Sequence, residues 1–289
     1  MLFKMQCLNA LRASALKLST TGVVSTAQPH INVITKRLKR SSPCDRCFIP
    51  KHKKPCFDIR NIIIERATEC HGKLIRSFLY THYWPREPTV IGLWMSLNSP
   101  LLDVLTDKYM SFGDRMLAFE RIKRTKETKL VGLSVASKLY PWMIGELDEW
   151  AHVTTIMPEK YKIYFTAHCL KQPNLFKKYK VDYIYDVEVL GSAAEVTGQG
   201  VATLLLKNIL DNALEVRHPV VQVVSTSSYT SKICERCGMK LEWSMDYKDF
   251  TDECGRIIFY PRRPHHSVGV YVKFNDPSKG GVMPCKPQY

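Results

Sequence analysis

The strongest chemical signal in the sequence is a glycine-containing turn that joins a predicted strand to a predicted helix. The strand ends with residues 187–191 (VEVLG), and residues 197–202 (TGQGVA) lead directly into the helix. Gly198 and Gly200 allow consecutive backbone N–H groups to face outward, and the helix N-terminus adds a partial positive charge. Such a turn can bind a phosphate or a diphosphate. A plain strand-to-helix turn is the alternative, since the third glycine of a dinucleotide motif and the Gly-Lys of a P-loop are missing.

Cysteine spacing offers two further candidates for chemistry. Cys44, Cys47, His52 and Cys56 follow the spacing of a small zinc knuckle, whose four ligands could close a tetrahedral site. The same segment holds three prolines and little apolar surface, so an unliganded linker is the alternative. A second pair, at positions 234 and 237, falls within a helical pattern, where a packed structural role is favoured. We therefore expect no metal in the folded domain.

The elements that must position the glycine turn alternate between strands and helices. Apolar and β-branched runs predict strands at residues 57–64, 115–122, 129–137, 181–190, 220–225, 240–245, 257–260 and 267–274. Helical spacing predicts helices at residues 69–82, 146–179, 203–216 and 229–237. Interleaved strands and helices that end in a run of strands predict an α/β or α+β sheet with helices on both faces.

Composition and charge narrow the class of protein. The chain has 289 residues, of which 45% are hydrophobic and 24% charged, as expected of a soluble globular protein. No apolar run approaches the ~20 residues that a membrane-spanning helix needs. The net charge is +15, but eleven of the 42 lysines and arginines lie in residues 1–57, together with one of the 27 acids. The remaining charges nearly balance, so we expect neither a nucleic-acid nor a membrane partner for the folded part.

The basic arm, residues 1–56, allows more than one interpretation. It is rich in Ser, Thr, Lys and Arg and lacks acids before Asp45, which is typical of a mitochondrial transit peptide; a disordered basic tail is the alternative. Ten scattered cysteines favour free thiols in a reducing compartment. We expect a folded domain at residues 57–275, a C-terminal tail at 276–289, and a monomer. The expected location is the cytoplasm, with the mitochondrial matrix as the alternative.

The glycine turn resembles the acetyl-CoA-binding motif of the GCN5-related N-acetyltransferase (GNAT) superfamily, Arg/Gln-x-x-Gly-x-Gly/Ala. Within that superfamily, the sequence is most similar to the insect-type arylalkylamine (dopamine) N-acetyltransferases. Residues 81–88 (THYWPREP) resemble the group's His-Phe-Phe-Pro-Asp-Glu-Pro-Leu segment. Further similar segments follow in the same order, at residues 225–230, 235–239, 247–249, 255–259 and 264–265. The resemblance runs from about residue 57 to 275 and implies the GNAT fold, a mixed central sheet with one splayed strand and helices on both faces.

The resemblance also implies an activity, the transfer of an acetyl group from acetyl-CoA to a small primary amine, by similarity an arylalkylamine. Glu87 matches the general base, which would take a proton from the protonated amine; a glutamate in a proline-rich loop is otherwise most often only solvated. Thr226 and Thr230 match the hydroxyl groups near the thiolate leaving group. Hydroxyl groups of this turn could instead cap the following helix.

The implied cofactor residues follow the strand end and the turn. The pantetheine arm would lie beside Leu190, Gly191 and Ser192, with a backbone N–H of the splayed strand as oxyanion donor. The residues that would hold the diphosphate form the turn itself: Thr197, Gly198, Gln199, Gly200, Val201 and Ala202. An aromatic slot for the amine could use Phe78, Tyr83, Trp84, Trp142 and Trp150, although core packing is the alternative for each and polyamines remain possible substrates.

Three departures from the family pattern keep other functions open. Thr197 replaces the Arg or Gln that opens the phosphate turn, so a cationic contact is missing. Cys234 replaces a tyrosine that protonates the departing thiolate in many members, and an inert, packed thiol is favoured there. Arg86 replaces an aspartate, and a basic residue at this position would hold Glu87 in its charged form. The alternatives are a CoA-binding module with little or no turnover, and a nucleic-acid-associated protein that uses the basic arm.

Overall fold

The structure, a computed structural model, describes residues 57–121 and 127–275. The predicted arm, the C-terminal tail and the spacing Cys44, Cys47, His52 and Cys56 lie outside the described residues. The domain boundaries therefore stay predictions. Within the described part of the chain, seven strands form one sheet in the order β1-β2-β3-β4-β5-β7-β6. No helix in this part is long and apolar enough to cross a membrane.

The sheet is mixed because one of its six strand pairs is parallel. The strands are β1 (Ile62–Arg66), β2 (Asp114–Arg121), β3 (Thr128–Leu139), β4 (Ile184–Ser192), β5 (Val220–Ser225), β6 (Lys240–Asp246) and β7 (Ser267–Phe274). All neighbours pair antiparallel except β4 and β5, which lie parallel. The helix Val201–Glu215 leads from β4 to β5, as a parallel connection requires.

Helices cover both faces of the sheet, as the sequence predicts. They are α1 (Gly72–Phe78), α2 (Pro88–Gly92), α3 (Pro100–Ser111), α4 (Pro141–Val153), α5 (Met157–Lys171), α6 (Leu175–Tyr179), α7 (Val201–Glu215) and α8 (Ser228–Arg236). Tyr185 of β4 packs in a core with α7 and α8. Its neighbour Ile184 points to the opposite face and packs with Leu175 of α6.

Three sequence predictions differ from the structure. The predicted strand at residues 57–64 begins only at Ile62, because the Asp58 carboxylate accepts from the Arg60 N–H and starts a 3₁₀ turn. The predicted strand at residues 257–260 is wrong, since only an isolated bridge joins Thr251 and Ile257. The helical region 146–179 is split into α4, α5 and α6, and the sequence analysis missed α2 and α3, which both begin at a proline.

Helix α7 approaches the sheet closely because β3 carries a glycine where the helix crosses it. A Cβ added at Gly132 would lie 2.7 Å from Val201 Cγ1 and 2.9 Å from Leu205 Cδ1. Both residues belong to the buried stripe of α7. The N-terminus of α7, and the glycine turn before it, are thereby held against the end of the sheet.

A buried polar pair joins β4 and β5 where the two strands still hydrogen-bond. Asp186 and Gln222 lie opposite each other, and Gln222 Nε2 donates to Asp186 Oδ1 at 3.0 Å. Burial, and then the charge of Glu188, raise the pKa of Asp186 to about 7. Because an unfolded aspartate loses its proton near pH ~4, the folded state binds more protons than the unfolded state between these two values. Asp186 therefore costs stability as the pH rises through this interval.

Asp186→Asn is expected to stabilise the protein at about pH 8 and to have little effect near pH 4, because the amide cannot ionise. The gain at high pH has an upper limit of about 4 kcal/mol, the equivalent of ~3 pKa units. Urea unfolding of the wild type and the variant at the two pH values measures this gain in the free energy of unfolding. A difference between the proteins that does not change with pH would contradict this assignment.

Candidate active site

A gap opens in the sheet between β4 and β5. The two strands pair only from Tyr185 and Val221 to Val187 and Val223. Beyond this point β4 continues beside β3, and β5 continues beside β7. One edge of residues 188–192 is thus left without a strand partner, and we call the space beside it the β4–β5 gap.

A β-bulge in β4 lies where the strands part. Val187 pairs with Ala136 and Val189 pairs with Val135, so Glu188 has no partner residue on β3. A bulge of this kind bends the strand and increases its twist. The Glu188 carboxylate accepts from Ser137 Oγ at 2.6 Å and contacts the Lys108 ammonium group. This half-buried ion pair holds the bulge in place.

Backbone groups of alternate β4 residues face the gap. The Glu188 carbonyl accepts from the Tyr83 hydroxyl at 3.4 Å, and the Ser192 carbonyl accepts from the Arg86 guanidinium. Neither carbonyl can therefore point toward β3. By the alternation of the ladder, the N–H and C=O of Leu190 also point into the gap. Leu190 is thus the strand residue whose N–H a ligand in the gap could reach.

The glycine turn follows β4 directly. Gly198 and Gly200 have φ of +80° and +90°, a left-handed conformation that glycine adopts without strain. The N–H groups of Gly198, Gly200, Val201 and Ala202 have no hydrogen-bond acceptor among the described residues. Together with the N-terminal dipole of α7, this group of free amides fits a diphosphate. The turn follows the strand residues Leu190, Gly191 and Ser192, and its binding of an anion stays a prediction.

The side chain of Arg86 contacts the glycine turn and does not contact the Glu87 carboxylate. Its Nε donates to the His82 carbonyl at 2.6 Å, and one terminal nitrogen donates to Thr197 Oγ1 at 3.0 Å. The other terminal nitrogen donates to the Ser192 carbonyl. Arg86 thus makes its contacts at the glycine turn, and no contact with the Glu87 carboxylate is found among the described residues.

Glu87 is buried, with 7% of its surface exposed. Its Oε1 accepts from Thr89 Oγ1 at 3.0 Å, and Thr89 Oγ1 in turn accepts from Lys162 Nζ of α5 at 2.8 Å. Burial lowers the pKa of Lys162, and the nearby Glu87 carboxylate opposes that shift. The cation that accompanies Glu87 is therefore Lys162, which the sequence analysis missed. The only signal was Thr89, a polar residue where the family pattern has leucine.

Two tyrosines and a histidine face Glu87 from other elements. Burial raises the pKa of Tyr83 and of Tyr247 well above the usual value, and the Glu87 charge adds to both shifts. Burial lowers the pKa of His265, which the Glu87 charge opposes. The Tyr247 hydroxyl donates to the Thr226 carbonyl at 2.7 Å, and His265 Nδ1 accepts from the Ser228 N–H at 3.2 Å. Glu87 therefore lies close to the turn that follows β5.

Thr226 and Thr230 lie in and after that turn. The residue that caps α8 is Ser227, whose side chain accepts from the Tyr229 N–H at 3.2 Å. Within the described part of the chain, the hydroxyl groups of Thr226 and Thr230 have no hydrogen-bond partner. Because capping does not need them, both hydroxyls remain available to a ligand in the gap.

Cys234 is packed in the core. It is fully buried between α7 and α8, and burial raises the pKa of its thiol to about 12. The interpretation of Cys234 as an inert, packed thiol agrees with this position. The second cysteine of the pair, Cys237, packs against the same core. Among residues 57–121 and 127–275, no group of His, Cys, Asp and Glu could hold a metal ion.

The predicted aromatic candidates are divided between several places. Tyr83 and Phe78 approach Gly191 of β4 at the gap. Trp84 is buried in the core, and its Nε1 donates to Thr106 Oγ1 at 3.0 Å. Trp142 stacks on Tyr140 at the surface. Trp150 packs in a separate cluster of α3, α4 and α5. Of the five, Tyr83 and Phe78 lie against β4, and the Tyr83 hydroxyl reaches its unpaired edge.

Comparison with known proteins supports one fold. No protein-family model matches the chain. Mosquito arylalkylamine N-acetyltransferase like 5b superimposes with a TM-score of 0.66 at 21% identity, covering 74% of this chain and 99% of that chain. Arylalkylamine N-acetyltransferase 2 from Aedes aegypti gives a TM-score of 0.68 at 19% identity, covering 75% and 100%. The Drosophila melanogaster polyamine N-acetyltransferase gives a TM-score of 0.65 at 21% identity, covering 74% and 99%.

These similarities, together with the parted strands and the glycine turn, define the fold class. The chain has the GNAT fold, with a mixed sheet, a splayed strand and helices on both faces. The fold predicted from the resemblance is confirmed.

The glycine turn can be tested through its backbone conformation. Gly200→Ala would place a Cβ in a left-handed conformation, 2.9 Å from Ile59 Cδ1, and is expected to lower the free energy of unfolding by roughly 1–2 kcal/mol. Gly145→Ala on the exposed side of α4, with no atom within 4 Å, is the matched control and should stabilise by about 0.5–1 kcal/mol. Urea unfolding measures both. Equal effects of the two substitutions would be incompatible with the left-handed turn.

Proposed function

We propose that the protein is an acetyl-CoA-dependent N-acetyltransferase that acts on a small primary amine, with Glu87 as general base. The observation that carries this proposal is the arrangement of the β4–β5 gap. Unpaired amides of the glycine turn lie at one end, and a buried carboxylate lies beside the turn that follows β5. A site of this form can hold a long phosphorylated thioester and present a base to an amine beside it. We expect the enzyme to act as a monomer.

The residues that would hold acetyl-CoA are those of the strand edge and the turn. Leu190, Gly191 and Ser192 would bind the pantetheine arm through their backbone. The amides of Gly198, Gly200, Val201 and Ala202 would bind the diphosphate, and Thr197 and Gln199 would flank it. When bound, acetyl-CoA supplies the thioester carbonyl that the amine attacks.

Glu87 would accept the proton that the amine must lose before it can attack. Its burial keeps bulk water away from the carboxylate, and the hydrogen bond from Thr89 orients Oε1. Lys162 partly compensates the buried negative charge through Thr89. The Leu190 N–H, which faces the gap, would stabilise the oxyanion, and the Thr226 and Thr230 hydroxyls would lie near the departing sulfur.

The charges around the gap favour an amine with a single positive charge. Glu188 contacts Lys108, and Glu87 is linked to Lys162 through Thr89. Neither carboxylate is left to bind a second ammonium group of a polyamine. The ring of Tyr83 lies against Gly191, on the strand that borders the gap. We therefore infer that the substrate is an arylalkylamine.

Glu87→Gln is expected to lower kcat by at least about 100-fold, because the amide cannot accept a proton, while acetyl-CoA binding is retained. The control is Glu215→Gln at the exposed end of α7, which should leave both quantities unchanged. Release of CoA with tyramine as acceptor, and calorimetry with acetyl-CoA, provide the measurements. Equal turnover by the wild type and Glu87→Gln would remove Glu87 from the mechanism.

A panel of amines tests the substrate class. Tyramine, dopamine and serotonin are expected to give a kcat/KM at least about tenfold higher than agmatine or putrescine, the equivalent of ~1.4 kcal/mol for a second charge without a partner. The reverse order would assign the site to polyamines.

A second candidate function is a CoA-binding module without turnover. It is favoured by Thr197, which brings no charge to the phosphate turn, and by the buried Cys234, which cannot protonate a thiolate in the gap. Saturable CoA binding with no acetyl transfer to any amine of the panel would support it.

A further inference from the structure

The guanidinium group of Arg86 is held in one position by contacts in three directions. It donates to the carbonyl of His82, to the hydroxyl of Thr197 and to the carbonyl of Ser192. Two of these acceptors belong to the end of β4 and the glycine turn, which are far from Arg86 in sequence. The donor is charged, which strengthens each of these hydrogen bonds, and together they hold the guanidinium group against the turn.

The loop that carries Arg86 is fastened to the turn at a second point. His82 Nδ1 accepts from the N–H of Ala194 at 3.4 Å, and Ala194 is the first residue of the short 3₁₀ turn that contains Glu195. The Thr197 hydroxyl, which accepts from Arg86, donates in turn to the Ala193 carbonyl at 3.3 Å. Arg86 is exposed to solvent, and these contacts hold its side chain against the turn.

Arg86 has no carboxylate in contact among the described residues. The charge of Glu195 opposes the lowering of the Arg86 pKa by burial. The Glu195 carboxylate itself contacts the Lys129 ammonium group. Three of the five guanidinium N–H groups are used in the contacts described above, so two donors and a full positive charge remain for a ligand. An arginine presented in this way fits the oxygen atoms of a phosphate or diphosphate.

The turn itself brings no cation. Residues 193–203 contain one acid, Glu195, and neither lysine nor arginine. Its free amides would bind a diphosphate only through partial charges, while the ligand carries full negative charges. A cation for this turn would come from another element, and among residues 57–121 and 127–275 the Arg86 guanidinium contacts it.

Building on the proposed function, we propose that Arg86 is the cationic ligand of the CoA diphosphate. It takes the place that Thr197 leaves without charge and reaches the turn from the loop before α2. Glu87 is the next residue, and the short segment between Pro85 and Pro88 carries both Arg86, which contacts Thr197, and Glu87, which contacts Thr89. Binding of the diphosphate by Arg86 therefore also fixes the backbone that carries the general base.

The test is the affinity of the full-length protein for CoA, measured by calorimetry without any turnover. Arg86→Gln is expected to raise the Kd for CoA by about 10- to 100-fold, the loss of one charge-assisted contact of ~1.4–2.7 kcal/mol. Arg86→Lys should lose less, since it keeps the charge. Pantetheine, which lacks the phosphates, should bind all three proteins equally. The control is Arg236→Gln at the exposed end of α8, which changes the net charge equally and should leave the CoA affinity unchanged.

A second variant protects the test against a folding defect. Arg86→Gln combined with Thr197→Arg restores a cation to the turn from its own side and should recover part of the CoA affinity. Equal CoA affinity of the wild type and Arg86→Gln would overturn the inference while the proposed function stands. An equal loss of CoA and pantetheine affinity would also overturn it, because Arg86 would then only support the loop. A wild-type protein that binds no CoA would refute the proposed function itself, and the inference with it.

Discussion

The structure depends on the short pairing between β4 and β5. Three residue pairs join these parallel strands, and the bulge at Glu188 then turns β4 away. Peptide groups inside a protein must find hydrogen-bond partners, so the free edge of β4 has to be covered by something other than a strand. Tyr83 and Arg86 reach two of its carbonyls. The rest of the edge, with the Leu190 amide, is left for a ligand.

The segment from Tyr83 to Glu87 connects the parts of the site because its side chains extend in different directions. Tyr83 reaches β4, Trp84 anchors in α3 through Thr106, Arg86 reaches the glycine turn, and Glu87 turns toward α5. A π-helical turn followed by a 3₁₀ turn, with prolines at 85 and 88, rotates successive residues by unequal amounts. A regular helix would have placed residues 83 and 87 on one face.

The charges of the site are balanced within the fold. Glu188 is paired with Lys108, Glu87 reaches Lys162 through Thr89, and Asp186 is held by Gln222 with its pKa raised by burial. Burying a carboxylate without a partner in this interior would lower the free energy of unfolding by roughly several kcal/mol, and the group would take up a proton instead. Glu87 is thus buried with a hydrogen bond from Thr89 and with Lys162 on the other side of that hydroxyl, where a solvated glutamate would be surrounded by water. Arg86 is the exception, a cation with no carboxylate in contact among the described residues, at the one place where an anion is expected.

The sequence alone determined the local features of the protein. Strand residues 220–225 and 267–274 agree with the structure to the residue, because short apolar runs between turn residues have only one way to pair. Gly198 and Gly200 predicted the turn, since only glycine adopts a left-handed backbone conformation freely. The choice of Glu87 as the candidate base came from a resemblance to a family. Helices α2 and α3 were not predicted, because proline usually interrupts a helix and both begin at one, Pro88 and Pro100. Their apolar residues are also too few to show a helical period.

The tertiary structure decided what the charged side chains contact. From the sequence, Arg86 is the neighbour of Glu87, yet it lies on a turn more than a hundred residues away. Lys162, which accompanies Glu87, comes from a helix 73 residues beyond Thr89. Sequence spacing specifies the direction of a side chain only within a regular element, and the loop of Arg86 and Glu87 is not one. Contacts between elements depend on how the sheet orders its strands, and that order follows from packing over the whole domain.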